Sequence, residues 1–108
     1  MAREGQVRLF AFHCRDGEHA PALRERLLDA HLAHVEANMD AIAVAGPLRE
    51  GDATVGSLLV LKAEDAAAAR ALFERDPYFE AGVWQSIRCD EFRGVAGEWV
   101  GGAAWKKG

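Results

Sequence analysis

The run "SLLVLKA", residues 57–63, most constrains what this chain can fold into. Its short apolar stretch is typical of a β-strand, in which side chains alternate between two faces. Leu59 and Leu61 would face one side of the strand, and Leu58 and Val60 the other. Because both faces are apolar, we expect the strand to be covered on both sides.

Strand and helix patterns alternate along the rest of the chain. We predict strands over residues 7–15, 42–47 and 83–92, and helices over residues 21–39 and over "AEDAAAARALFERD". The order βαββαβ predicts a single α+β domain. Right-handed crossovers would place both helices on the same face of the four-stranded sheet.

The face of the sheet opposite the helices is also apolar, so something other than the helices must cover it. A homodimer with its sheet faces opposed is the economical solution. The alternative is a monomer in which the C-terminal tail, which carries Trp99 and Trp105, folds over that face. We expect residues 1–93 to form the domain and residues 94–108 to form this tail.

Composition excludes several classes of protein. The 108 residues carry a net charge of -4 with no basic run, which argues against nucleic acid or an anionic membrane as partner. No apolar stretch approaches the ~20 residues of a membrane span, and the N-terminus lacks the core of a signal peptide. We therefore expect a soluble, cytoplasmic protein. Cys14 and Cys89, which form no CxxC pair, are expected to be reduced and partly buried.

His31 is the first candidate for chemistry. An apolar stripe on the first helix (Leu28, Leu32, Val35 and Met39) predicts its buried face, and His31 falls on the shoulder of that stripe. A histidine there could reach a cleft and transfer protons, or could simply border the core. His31 and His34 could also bind a metal, but a zinc site needs a third convergent ligand. We expect no metal and no cofactor.

Asp76 is the second candidate. It precedes Pro77 at the predicted end of the second helix, where a carboxylate is disfavoured by the helix dipole and would gain from a partner. If the two helices lie antiparallel on one face, Asp76 comes level with the first half of the first helix, within reach of His31. The alternative interpretation is that Asp76 only forms the turn.

Taken together, these segments resemble the YCII-related family. The similarity lies in His31-Leu32, in "AGPL" at residues 45–48, and in "DPY" at residues 76–78, followed by Ala81-Gly82. It covers roughly residues 7–93. It implies a ferredoxin-like fold of the dimeric α/β-barrel group, usually a homodimer, with a site built around a histidine and an aspartate. By position these are His31 and Asp76. Family members often carry an arginine shortly before the histidine, whereas this chain has Arg24 and Arg26 further upstream.

The resulting hypothesis is a cofactor-independent enzyme acting on a small cyclic or aromatic molecule. His31 would be the general acid or base and Asp76 its orienting partner, suited to proton transfer, elimination or isomerisation. Gly46 and Pro47 could let the backbone approach the ligand, and Tyr78 could donate to a developing oxyanion. The side chains of Phe10, Phe12 and Phe79 could line the pocket around an aromatic substrate ring. The alternative is a non-catalytic dimeric module that binds a ligand or a partner protein.

Overall fold

A computed structural model describes residues 7–106 of the chain. The main strands are β1 (Arg8–Asp16), β2 (Ile42–Glu50), β3 (Ala53–Ala63) and β4 (Trp84–Phe92), and the helices are α1 (Ala20–Ala37), α2 (Ala66–Phe73) and α3 (Pro77–Ala81). The strands form one antiparallel sheet in the order β2-β3-β1-β4. The predicted ferredoxin-like βαββαβ fold is confirmed, with the short helix α3 added before β4.

The core lies between this sheet and the helices. Phe12 of β1 pairs with Leu59 of β3 in register, so both side chains lie on the helix-covered face. Phe12 also stacks on Phe73 of α2 with ring centroids 4.3 Å apart. Phe10 and Phe12 are therefore core residues rather than walls of a ligand site, and Phe79 packs against the same cluster.

Helix α1 differs from its predicted packing. The predicted apolar stripe is not the buried face, because Leu28 and Leu32 remain 45% and 44% exposed and Met39 is also exposed. The residues that contact the core are Ala20, Leu23 and Leu27 instead. The helix also ends earlier than predicted, at Ala37, and a 3-10 turn over Met39–Ala41 leads into β2.

The prediction for Asp76 at a helix C-terminus is wrong. Helix α2 ends at Phe73, and Asp76 is the N-cap of α3, where its side chain accepts a hydrogen bond from the backbone N–H of Tyr78. Pro77 fits the first position of this helix because it has no N–H to satisfy. Gly82 ends α3 in the left-handed conformation that glycine tolerates. The carboxylate therefore lies at the end of a helix that favours negative charge.

Strand β2 and the tail extend the fold beyond the predicted elements. Gly46 and Pro47 lie within β2, which continues to Glu50, and not at its end. Proline is tolerated there because β2 is an edge strand. After β4 the chain forms a small hairpin, β5 (Ala96–Gly97) and β6 (Gly102–Ala103). Trp99 and Trp105 are 86% and 70% exposed, so the described part of the tail does not bury them against the sheet.

Within residues 7–106, no helix combines the length and the apolar character that crossing a membrane would require.

We expect the close contact of β3 with β1 to require a glycine at position 56. An added Cβ at Gly56 would overlap the backbone carbonyl oxygen of Cys14, so Gly56→Ala should lower the free energy of unfolding by about 1–3 kcal/mol. The matched control is Gly46→Ala, because an added Cβ there meets nothing within 4 Å. Urea denaturation of both variants measures the difference, and equal stabilities would contradict the prediction.

We expect the buried Cys14 thiol to make stability fall at high pH. Burial, followed by the negative charge of Asp76, raises the pKa of Cys14 from an ordinary 9.0 to about 12. The unfolded chain loses this proton from about pH 9, whereas the folded protein keeps it to about pH 12. The free energy of unfolding should therefore fall by about 1.4 kcal/mol per pH unit across that window. Urea denaturation at successive pH values measures this slope. The slope should be shallower in Cys14→Ala than in the wild-type protein, and identical slopes in the two proteins would refute the prediction.

Candidate functional site

A cavity of about 320 Å³ lies between α1 and the β2–β3 side of the sheet. Most of its wall is apolar, with five polar or aromatic groups that can form hydrogen bonds: Arg24, His31, Ser57, Tyr78 and Trp84. The other lining residues are Leu28, Leu32, Val35, Ala45, Gly46, Pro47 and Leu59. Such a mainly apolar cleft with a few polar groups is typical of small-molecule sites.

Helix α1 places His31 between two of its faces. One face packs on the core through Ala20, Leu23 and Leu27. The other lines the cavity and contains Arg24, Leu28 and Val35, which lie seven, three and four residues from His31, together with the adjacent Leu32. The stripe that the sequence indicates is thus a cavity wall. His31 still lies on its shoulder, with a side chain that is 18% exposed.

His31 and Asp76 are in direct contact. Nδ1 of His31 lies 2.9 Å from Oδ1 of Asp76. An ionised carboxylate has only acceptors, so Nδ1 carries the hydrogen and donates it, and in the neutral ring Nε2 then keeps its lone pair. Oδ1 also accepts the Tyr78 N–H at 2.9 Å. The Asp76 carboxylate is 1% exposed, and its Oδ2 has no hydrogen-bond partner within residues 7–106.

Tyr78 supports the histidine ring. The two rings stack with centroids 3.9 Å apart and an interplanar angle of 3°. The Tyr78 hydroxyl donates to the backbone carbonyl of Arg24 at 3.1 Å. This bond uses the hydroxyl hydrogen, so the structure gives no support to Tyr78 as the donor to an oxyanion. Burial raises the pKa of Tyr78 above its ordinary 10.0, so the phenol gives up its proton less readily than a free tyrosine.

Gly46 and Pro47 line the opposite wall of the cavity. Pro47 and Ala45 pair with Ser57 and Leu59, which face the helices. Because side chains alternate along a strand, a side chain at position 46 would point to the other face of the sheet. Gly46 therefore contributes backbone to the cavity, as the sequence suggests, while Pro47 contributes its ring.

Sequence reasoning does not identify Arg24 and Ser57 as a polar group in the cavity wall. Arg24 donates to both carboxylate oxygens of Asp16, at 2.9 and 2.8 Å, and its Nη2 also donates to Ser57 Oγ at 2.8 Å. Trp84 Nε1 donates to the same hydroxyl at 3.2 Å. One signal could have revealed Arg24. It lies seven residues before His31, which is two helical turns along the same face.

The residues considered for a metal site are not brought together. In the part of the chain that the structure describes, no group of three His, Cys, Asp or Glu side chains could hold a metal ion. His34 contacts Asn38 on its own helix and does not line the cavity.

Comparison with known proteins identifies the family. A sequence model of the YCII-related domain matches residues 8–93. No curated protein matches the chain. Among solved structures, the chain is similar to 5-chloro-2-hydroxyhydroquinone dehydrochlorinase (TftG) from Burkholderia phenoliruptrix in complex with 2,5-dihydroxybenzoquinone. The TM-score is 0.71 and the sequence identity 25%, and the match covers 83% of this chain and 96% of that one. With most of its length matched by the family model, this chain belongs to the YCII-related family.

Proposed function

We propose that this chain is a cofactor-independent enzyme that moves a proton on a small cyclic or aromatic substrate. His31 is its general acid or base, and Asp76 is the residue that positions His31. The observation that carries this proposal is the 2.9 Å contact between His31 Nδ1 and Asp76 Oδ1 beside an apolar cavity of about 320 Å³.

The contact determines how the imidazole can act. With Nδ1–H donated to the carboxylate, Nε2 has the lone pair and can take a proton. The carboxylate then stabilises the charge that the ring acquires, as in other aspartate–histidine pairs. A buried polar atom without a partner is rare, and Oδ2 of Asp76, which has no hydrogen-bond partner among residues 7–106, supports a role other than stability for this carboxylate.

The similar dehydrochlorinase supports an elimination as the reaction class. In such a step the chlorine-bearing ring carbon is tetrahedral, as in a keto tautomer of the substrate, and Nε2 of His31 takes a proton from a conjugated ring hydroxyl or from the neighbouring carbon. The electron pair that is left behind forms a new π-bond, and chloride leaves with the electrons of the C–Cl bond. No oxidant, reductant or metal is needed for this balance. An isomerisation would use the same proton abstraction and return the proton at another carbon.

The walls of the cavity suit a flat ring. Leu28 and Leu32 lie on the α1 side, and Pro47, Leu59 and the backbone of Gly46 lie on the sheet side. Tyr78 acts in this proposal by stacking on His31 and fixing the plane of the imidazole. We assign these catalytic and binding roles to the domain, with residues 94–108 as a separate tail.

The partner of the domain is a second copy of the chain in this proposal. The face of the sheet away from the helices exposes Val44 and Phe92, next to Val60 and Leu9 in register. A homodimer with these faces opposed would cover them. The alternative function, a non-catalytic binding or interaction module, is favoured by one observation, the exposure of Trp99 and Trp105.

We expect His31→Gln to abolish proton transfer while leaving the fold intact. Release of chloride from 5-chloro-2-hydroxyhydroquinone should fall by about 10²–10⁴-fold, because glutamine cannot exchange a proton at neutral pH. The matched control is His34→Gln on the same helix, which should retain the wild-type rate. A His31→Gln variant that turns over like the wild type would refute the acid–base role. Wild-type protein that binds this compound without releasing chloride would favour the binding module.

We expect Asp76→Asn to separate positioning of His31 from capping of α3. Asparagine caps a helix as well as aspartate does, so the melting temperature should change little. Without the carboxylate, Nδ1–H is no longer the only compatible tautomer, and turnover should fall by at least about 10-fold. Imidazole ¹⁵N shifts of His31 measure the tautomer directly. An unchanged tautomer with unchanged turnover would show that Asp76 is only a cap.

A further inference from the structure

We propose that the Arg24–Ser57 end of the cavity is an oxygen-binding subsite. There the Ser57 hydroxyl donates a hydrogen bond to a carbonyl or phenolate oxygen on the substrate ring. The inference deepens the proposed function and rests on it in one respect, namely that the cavity is the substrate site.

The argument begins with the hydrogen bonds that Ser57 already makes. Its Oγ lies 2.8 Å from Arg24 Nη2 and 3.2 Å from Trp84 Nε1. Arginine and tryptophan side chains have donors and no acceptors, so Ser57 must accept both bonds. A hydroxyl has two lone pairs, and both are now used.

The hydroxyl hydrogen of Ser57 is therefore left for another molecule. Among residues 7–106, no protein atom accepts it. Ser57 is buried and lines the cavity. A buried donor without an acceptor is costly, so a ligand that brings an oxygen to this point gains affinity. A ligand that brings a methylene group gains none.

Arg24 strengthens this donor and fixes its position. Its Nε donates to one oxygen of Asp16, and the two hydrogens of its Nη2 are shared among the other Asp16 oxygen, the backbone carbonyl of Gly56 and the Ser57 hydroxyl, so the guanidinium is held in place. A hydroxyl that accepts a bond from a cation is polarised and becomes a better donor. Because Asp16 already neutralises the charge of Arg24, the subsite offers a directed hydrogen bond more than a net positive charge.

The position of the subsite fits a molecule of one ring. Arg24 and His31 are seven residues apart on α1, so their backbones lie about 10 Å apart along the helix. Both side chains line the same cavity. An oxygen held at Ser57 would direct the other side of the ring toward Nε2 of His31. The subsite therefore determines which ring carbon or hydroxyl faces the base.

The test compares two probes of the same shape in NMR titrations. Acetophenone carries a carbonyl oxygen, and α-methylstyrene has a methylene group in its place. Wild-type protein should bind acetophenone more tightly. Ser57→Ala should weaken acetophenone binding by about 3- to 10-fold and leave α-methylstyrene binding unchanged. Ser57→Thr keeps the hydroxyl and should keep the preference. The matched control is Ser86→Ala, an exposed serine on β4.

Each of the following three results would overturn the subsite, and so would a Ser57→Ala variant that keeps the preference for acetophenone. They are a wild-type protein that binds neither probe, a wild-type protein without preference between them, and a Ser57→Ala variant that loses affinity for both equally. The last result would mean that Ser57 only supports the wall through Arg24 and Trp84. These measurements involve no proton transfer. If Ser57→Ala keeps the preference while His31→Gln loses turnover, the subsite is wrong and the proposed function stands. If the preference depends on Ser57 but His31→Gln turns over normally, the subsite stands and the proposed acid–base function is wrong.

Discussion

The buried carboxylate of Asp76 joins the two halves of the helical layer. Through one oxygen it caps α3 at the Tyr78 N–H and holds the imidazole of His31 on α1. A buried carboxylate is unfavourable unless it is hydrogen-bonded, so Asp76 holds both partners in place. Tyr78 adds two further contacts between α3 and α1: its ring stacks on His31, and its hydroxyl donates a hydrogen bond to the carbonyl of Arg24. The orientation of the proposed base is thus fixed by the chain segment that leads into β4.

Polar bonds of this kind also explain why there is a cavity. Near its N-terminus α1 is tied to β1 and β3 by Arg24, which contacts Asp16 and Ser57. Near its middle it is tied to α3 by His31. Leu28 between these points and Leu32 beyond them do not reach the core, and they form one wall of a cleft. A helix held by directed bonds can keep an open space beside it, whereas a helix held only by apolar packing would close over the sheet.

The sequence predicts the fold well and the site in part. The alternation of side chains between two faces in "SLLVLKA" and the order of strands and helices are local signals, and they predict the observed sheet. The contact of His31 with Asp76 follows from topology, although the reason given for Asp76 was wrong because the third helix was missed. A single helical turn that begins at Asp-Pro carries too short a pattern to separate it from a helix stop. The Arg24, Asp16 and Ser57 cluster could not be predicted, because it joins three elements through side-chain geometry alone.

The same limit applies to the apolar stripe of α1. Periodicity identifies an apolar face, but it does not distinguish the core from a cavity wall.

The three tryptophans of the chain lie in two different environments. Trp84 is buried, lines the cavity and donates to Ser57, whereas Trp99 and Trp105 are largely exposed on the tail. An aqueous quencher such as iodide reaches the two tail residues and not the third. The emission that survives quenching comes from the cavity itself. The protein thus has an intrinsic optical reporter on the wall of its candidate site, and removing both tail tryptophans would isolate that signal without touching the domain that matches the family.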